Sequence, residues 1–331
     1  MSNTSVFKDL SVNFLNENIS LNFTRARILT QIRESIISPI VVRASKDVFL
    51  SFYEKYKKNA FEFGQNIIEI TTKLGDKPIT LVFDVYNAKT RDELEDKQPN
   101  MFTGSSSFRY NGNIVFINVF VGLINGVASE DKIFSLRGII SHELNHIYQQ
   151  FCRESSFGHD GLMLVAKSNL FSPDINSYYL GVIAYVGDNS ERQSFCNELY
   201  SGIMNYFENN VRFEKENCPA YIWLNNLEKA YQYLLTNKDN VDLKLSIKNF
   251  KDNTSLRLYN LDDKTNLERT GRKHLSDENK WTYGKLKNVA NNTIHKFENE
   301  IRQTIGKAIN DALERGIIPR TNGYDYFSLF L

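Results

Sequence analysis

The sequence predicts an α+β fold. It has a small antiparallel or mixed sheet, a helix carrying a His-Glu-x-x-His pattern, a second long helix after it, and a largely α-helical C-terminal region. Three observations point there. β-Branched and aromatic runs at 79–87, 105–110 and 113–121 read as strands. Apolar residues at helical spacing recur over 130–153 and again from about residue 190. From about residue 215 onward the amphipathic stretches are helical in period.

Each element has a local reason. Helices are expected at 22–37 and 45–73. Ser45 is a candidate N-cap, and Phe49, Phe52, Tyr53, Tyr56 and Phe63 fall at helical spacing. Gly75-Asp76-Lys77-Pro78 reads as a turn into the strand at 79–87. Asn111-Gly112 tolerates the positive φ angles of a tight hairpin, so 105–110 and 113–121 should pair antiparallel. Ser129 then caps a helix at about 130–153, with Glu130 and Asp131 complementing its dipole. Phe134, Ile139, Ile140, Leu144, Ile147 and Phe151 supply its buried side.

Residues 154–177, with Gly158, Gly161 and Pro173, read as irregular. The second long helix starts near Ser190. Beyond 215, YIWLNNLEKAYQYLLTN and KLKNVANNTIHKFENEIRQTIGKAINDALERG read as amphipathic helices, with a polar, poorly periodic stretch at 238–275 between them. The aromatic end, YDYFSLFL, reads as a last strand or helix packed on the core. The expected organisation is an N-terminal helical region at 1–75, a core at 76–210 and a mostly helical region at 211–331.

Composition narrows the function classes. The 331-residue chain is 41% hydrophobic and 24% charged, the balance of a folded chain with a sizeable core. Its 40 basic and 39 acidic residues give a net charge of +1, so no nucleic-acid partner is expected. The polar start shows no secretory h-region, and no run of about 18 apolar residues is present to span a membrane. Cys152, Cys196 and Cys218 are an odd, widely spaced set, which suits reduced thiols rather than a disulfide framework. The expected setting is cytoplasmic, with a virion as the alternative.

The stretch that carries chemistry is RGIISHELNHIYQQF, residues 137–151. On a helix, positions i and i+4 share a face, so His142 and His146 can aim ring nitrogens at one metal ion. Glu143, beside the first histidine, can take a proton from a water at that ion and pass it on. With five histidines in the chain, a chance His-Glu-x-x-His is on the order of one in a hundred. Ile139, Ile140, Leu144, Asn145, Ile147 and Tyr148 around it are uncharged, unlike the flanks of an exposed polar helix.

These residues resemble the zincin metallopeptidases, whose extended motif has uncharged flanks and an apolar end. The metzincin branch would need Gly at 149 and His at 152, where this chain has Gln149 and Cys152, so that branch is excluded. The chain is closer to the gluzincin type, which takes its third ligand from a glutamate on a following helix. Glu191, Ser194, Asn197 and Glu198 match the looser pattern of that helix. The resemblance covers about 105–205 and implies one zinc ion held by His142, His146 and Glu191, with Glu143 as the general base. His159 and Asp160 stay open as alternatives for the third ligand.

Glu198, seven residues on, is placed to hydrogen-bond a ligand histidine. The resemblance also implies that strand 113–120 forms the sheet edge over the cleft, where an extended peptide adds by main-chain hydrogen bonds. Tyr178, Tyr179, Tyr185 and His159 are candidate oxyanion stabilisers, with core packing the more ordinary role of the tyrosines. The expected function is zinc-dependent hydrolysis of a protein or peptide substrate. The alternative is a weak or inactive structural or interaction protein on the same scaffold, for example a phage virion or assembly component. The C-terminal helical region is the candidate surface for a protein partner.

Overall fold

The computed structural model describes residues 37–58, 61–75, 77–97, 102–111, 114–152, 170, 172–237, 283–319 and 326–331. The expected helix at 22–37 lies outside them but for Ile37, as do His159, Asp160 and the 238–275 stretch. Two compact units divide the chain. Unit 1 takes Met1–Cys152, Gln193–Glu214 and Arg302–Leu331, and unit 2 takes Arg153–Arg192 and Lys215–Ile301.

In unit 1, helix α1 (Pro39–Lys58) precedes the strands β1 (Gly64–Leu74) and β2 (Lys77–Ala88). The short helix α2 (Arg91–Lys97) leads to β3 (Phe102–Asn111) and β4 (Ile114–Ile124), and then to the long helix α3 (Glu130–Cys152). The strands form one sheet in the order β1-β2-β4-β3. β1 and β2 are antiparallel, as are β3 and β4, while the central pair β2 and β4 runs parallel. The expected antiparallel pairing of these two strands is borne out; Asn111 ends β3, paired to Ile114, and the turn residues between them lie outside the described ones.

Two expectations need correction. The helix over 45–73 starts at Pro39, with Ser45 inside it donating to the Val42 carbonyl and not capping it, and ends at Lys58, and 64–74 form a strand instead. Of the aromatic residues that suggested one long helix, Phe49, Phe52, Tyr53 and Tyr56 belong to α1 and Phe63 lies beyond it, whereas Ile67, Ile68, Ile70, Thr71 and Thr72 are β-branched and suit a pleated surface. Gly64, at φ +94°, and Gly75, at φ +67°, take left-handed backbone where this strand begins and turns into β2. The second correction concerns 113–120, which was expected at the sheet edge. β4 lies inside the sheet between β2 and β3, and β3 is the edge strand that runs against α3.

The core follows from period-2 alternation. Ile79, Leu81, Phe83 and Val85 on β2, and Ile117, Val119, Val121 and Leu123 on β4, are all fully buried. They share one cluster with Val41, Val48, Phe49 and Phe52 of α1 and Ile133, Leu136, Ile140, Leu144 and Ile147 of α3. Phe52 stacks on Phe83 at 4.4 Å between ring centroids.

The entry to α3 is set by a second Asn-Gly turn. Asn125 and Gly126 both have positive φ, at 52° and 77°, and Ile124 and Val127 exchange backbone hydrogen bonds of 3.0 Å across them. The buried Asn87 side chain accepts from the Gly126 amide at 2.6 Å, tying this turn to the end of β2. The Ser129 carbonyl then accepts the first helical hydrogen bond, from the Ile133 amide.

Helix α5 (Asn189–Asn209), the second long helix that the sequence predicted, belongs to unit 1 from Gln193 on. At its far end Tyr206 and Phe207 receive the C-terminal residues. Phe330, 1% exposed, meets the rings of Tyr206, Phe207 and Phe213 edge-on at 5.3–5.5 Å. In the described part of the YDYFSLFL end, Tyr326–Leu329 form a short 3-10 turn and Phe330 packs on the core, as preferred from sequence. Tyr200 donates to Asp311 at 2.6 Å in the same unit, and burial, then that carboxylate, pushes its phenol pKa up.

Unit 2 contains α4 (Ile175–Gly187), α6 (Pro219–Thr236) and the first part of α7 (Tyr283–Glu314). The last two match the amphipathic helices read from the sequence. Helix α4 was missed, because INSYYLGVIAYVG is apolar on every side and shows no amphipathic period. Asp174 caps it, accepting from the Ser177 amide at 2.9 Å and hydroxyl at 2.7 Å. Tyr179 packs on Tyr233, and Tyr185 on Trp223, each at 4.7 Å.

Arg192 joins the end of α4 to α5. It donates to the Val186 and Gly187 carbonyls at 2.7 and 2.8 Å, to Asn189 and to Glu300. Among the described residues, no helix is long and apolar enough to cross a membrane.

Candidate metal centre

Helix α3 presents three kinds of residue on three faces. Its apolar face is the core set just named. A second face carries Arg137, Ser141, Asn145 and Gln149, one polar residue every fourth position, all less than 9% exposed. A polar face can be buried only against partners, and α5 supplies them. Ser141 donates to the Asn197 carbonyl at 3.4 Å, Asn145 to Ser194 Oγ at 3.0 Å and Gln149 to Gln193 Oε1 at 2.8 Å. Arg137 reaches Asn205 at 2.9 Å and Glu208 at 2.8 Å. The seam fixes the axial register of α3 on α5, which apolar contacts alone would leave less well defined.

The third face holds the histidines. His142 and His146 bring their Nε2 atoms to 3.1 Å from each other. Their Nδ1 atoms turn toward α5: Glu198 Oε2 lies 3.3 Å from that of His142, and Ser194 Oγ 3.4 Å from that of His146. Glu198 is thus where the sequence placed it, beside a histidine. Phe195 packs on the His142 ring at 5.1 Å, leaving His142 13% exposed at its side chain.

Glu191, in the first turn of α5 and 2% exposed, completes the group. One ligand atom each from His142, His146 and Glu191 all lie within 4.8 Å of one another, so the three can hold a metal ion. The set fits the size of such an ion. Tetrahedral coordination with metal–nitrogen bonds of about 2.0–2.1 Å sets ligand atoms about 3.3 Å apart, close to the separation of the two Nε2 atoms. Glu143, between the two histidines in sequence, is 8% exposed.

A second electrostatic cluster sits at the far end of the seam. Glu208 is ringed by Arg137, by Lys46 at 3.0 Å and by Arg315 at 3.6 Å. Burial alone would raise its carboxyl pKa, but the charges of Arg137 and Lys46 outweigh that and hold it below the usual range.

The structure brings together His142, His146 and Glu191, with Glu198 beside His142, as the sequence suggests, and adds a polar seam that the sequence analysis does not include. The signal was present as the four-residue spacing of Arg137, Ser141, Asn145 and Gln149. Tyr178, Tyr179 and Tyr185, the oxyanion candidates, all take part in aromatic packing in unit 2. No protein-family model, curated protein or solved structure matches this chain. The fold class is α+β, with a small mixed sheet in a mostly helical chain, and its candidate site is a two-histidine, one-glutamate group able to hold a metal ion.

Proposed function

We propose that the protein is a zinc-dependent peptidase of the gluzincin-like type, with His142, His146 and Glu191 as the zinc ligands and Glu143 as the general base. The observation that carries this reading is the joint orientation of the two imidazoles. Glu198 Oε2 lies 3.3 Å from Nδ1 of His142, an ion-pair distance without hydrogen-bond geometry, and a carboxylate there favours the tautomer with hydrogen on Nδ1 and a lone pair on Nε2. That lone pair then faces the Nε2 of His146 at 3.1 Å, which can donate to it, and with the His146 proton on Nδ1 instead the two lone pairs can share a cation. Two histidines and a glutamate also suit ferrous iron. The glutamate directly after the first histidine favours hydrolysis, because that position serves proton transfer and not coordination.

Bound there, zinc supplies Lewis acidity, polarising the scissile carbonyl and making a water acidic enough to lose its proton near neutral pH. Glu143 accepts the proton and delivers it to the departing amine. Its burial keeps the carboxylate away from bulk water that would compete for that proton. The edge strand β3, against α3, offers main-chain groups to an extended peptide.

The test is digestion of a mixed peptide library by the purified chain, with mass-spectrometric readout, beside Glu143→Gln. Cleavage by the wild type that falls by about a hundredfold or more in Glu143→Gln, with zinc retained, is the expected result. Equal cleavage by both would sink the assignment of Glu143. Zinc binding without cleavage of any peptide would point instead to the interaction-protein reading.

A further inference from the structure

Gly138 stands in the middle of α3, where a glycine costs about 0.5–1 kcal/mol relative to alanine. Its backbone is ordinary helix, so no turn or positive φ accounts for it. The reason lies on α5. A Cβ at position 138 would sit 2.9 Å from Glu198 Cγ, 3.6 Å from the Glu198 carbonyl oxygen and 3.7 Å from Oε1. Carbon atoms in good contact are about 3.5–4.0 Å apart. The stem of Glu198 therefore lies in the space that the missing side chain leaves. From there its carboxylate reaches Nδ1 of His142 at 3.3 Å, one helical turn beyond Gly138.

We propose that Gly138 is a positioning residue for the metal centre: its missing side chain lets Glu198 pass across α3 and orient the His142 ring. The inference rests on the zinc reading above. Any side chain at 138 has to displace Glu198 Cγ by roughly half an ångström or more. Glu198, 16% exposed at its side chain, has a route outward to solvent. Swinging out relieves the contact and releases His142. Substitution by alanine thus separates two quantities that a structural glycine would move together. The helix gains propensity, while the ligand loses the carboxylate that fixes its tautomer and direction.

The experiment measures zinc affinity of the full chain by competition with a chromophoric chelator, and thermal unfolding of the zinc-free chain. The variants are Gly138→Ala, Glu198→Ala and their double. Gly138→Ala and Glu198→Ala should each weaken zinc binding about 10–100-fold. Gly138→Ala should add no further loss in the Glu198→Ala chain, where the Cγ that a new Cβ would meet is gone. The zinc-free Gly138→Ala chain should unfold at the wild-type temperature or higher.

Wild-type affinity in Gly138→Ala would overturn the proposal, as would an equal loss in the presence and absence of Glu198. Comparing Glu198→Ala with the double variant decides the matter even if Gly138→Ala alone does not fold, since a further loss in the double overturns the proposal. A wild-type chain that binds no zinc would defeat the zinc reading itself, a result distinct from either of these.

Discussion

Replacing Arg137 by methionine tests the seam that holds the histidine helix in register. The guanidinium is 2% exposed and donates to Asn205 and Glu208 at 2.9 and 2.8 Å. Removing one partner of a buried ion pair costs about 3–5 kcal/mol, most of it from the charge left behind. Here that charge keeps Lys46 and Arg315, at 3.0 and 3.6 Å, whose side chains are 39% and 44% exposed. Cations so exposed offset about 1 kcal/mol at most. Asn205 keeps its own bond to the Phe134 carbonyl at 2.9 Å, so it adds little.

The expected loss is therefore about 3 kcal/mol, read from urea unfolding followed by far-UV circular dichroism. In the double variant Arg137→Met/Glu208→Gln, the orphaned charge is gone. The loss should then fall short of the sum of the two single losses by about 2 kcal/mol. A single-variant loss below about 1 kcal/mol, or strict additivity, would refute the reasoning.

The depressed Glu208 carboxyl makes stability depend on acid. Its folded pKa lies below the ordinary 4.5, so its contribution is complete above that value and is lost as pH falls through the lower folded one. Melting temperature should fall between about pH 5 and pH 3, and Glu208→Gln should flatten that limb; an unchanged slope in the variant would remove Glu208 from the account. Phe330→Ala should lower stability by about 3 kcal/mol by leaving a cavity among three rings, whereas deleting the 42%-exposed Leu331 should change it by less than about 0.5 kcal/mol. Thermal unfolding checks both, and the zinc content of each variant should match that of the wild type.

Much of the site was legible because local chemistry and local structure agree in α3. Two acidic residues in the first turn, apolar residues at helical spacing and two histidines one turn apart all lie within 23 consecutive residues. The antiparallel pairing of β3 with β4 was legible for the same reason, since an Asn-Gly pair marks a tight connection between two strand-like runs. What escaped is non-local. Gly138 looks like a weak point in a helix until Glu198, sixty positions away in sequence, is set against it. Ser141 and Asn145 read as indifferent polar residues until Asn197 and Ser194 accept their hydrogen bonds.

Residues 64–74 show the opposite failure, where strong aromatic periodicity in α1 was extended past Lys58 into a strand. The position of β4 inside the sheet depends on its parallel pairing with β2, across more than 30 residues, and no hairpin signal carries that.

The most direct measurement is metal content by elemental analysis, after exposure to equimolar zinc and iron and removal of loosely bound ions. The wild-type chain should hold about one zinc ion, and His142→Ala, His146→Ala and Glu191→Ala should each lose it while keeping the wild-type circular dichroism spectrum. Iron in place of zinc, or full zinc occupancy in Glu191→Ala, would contradict the account.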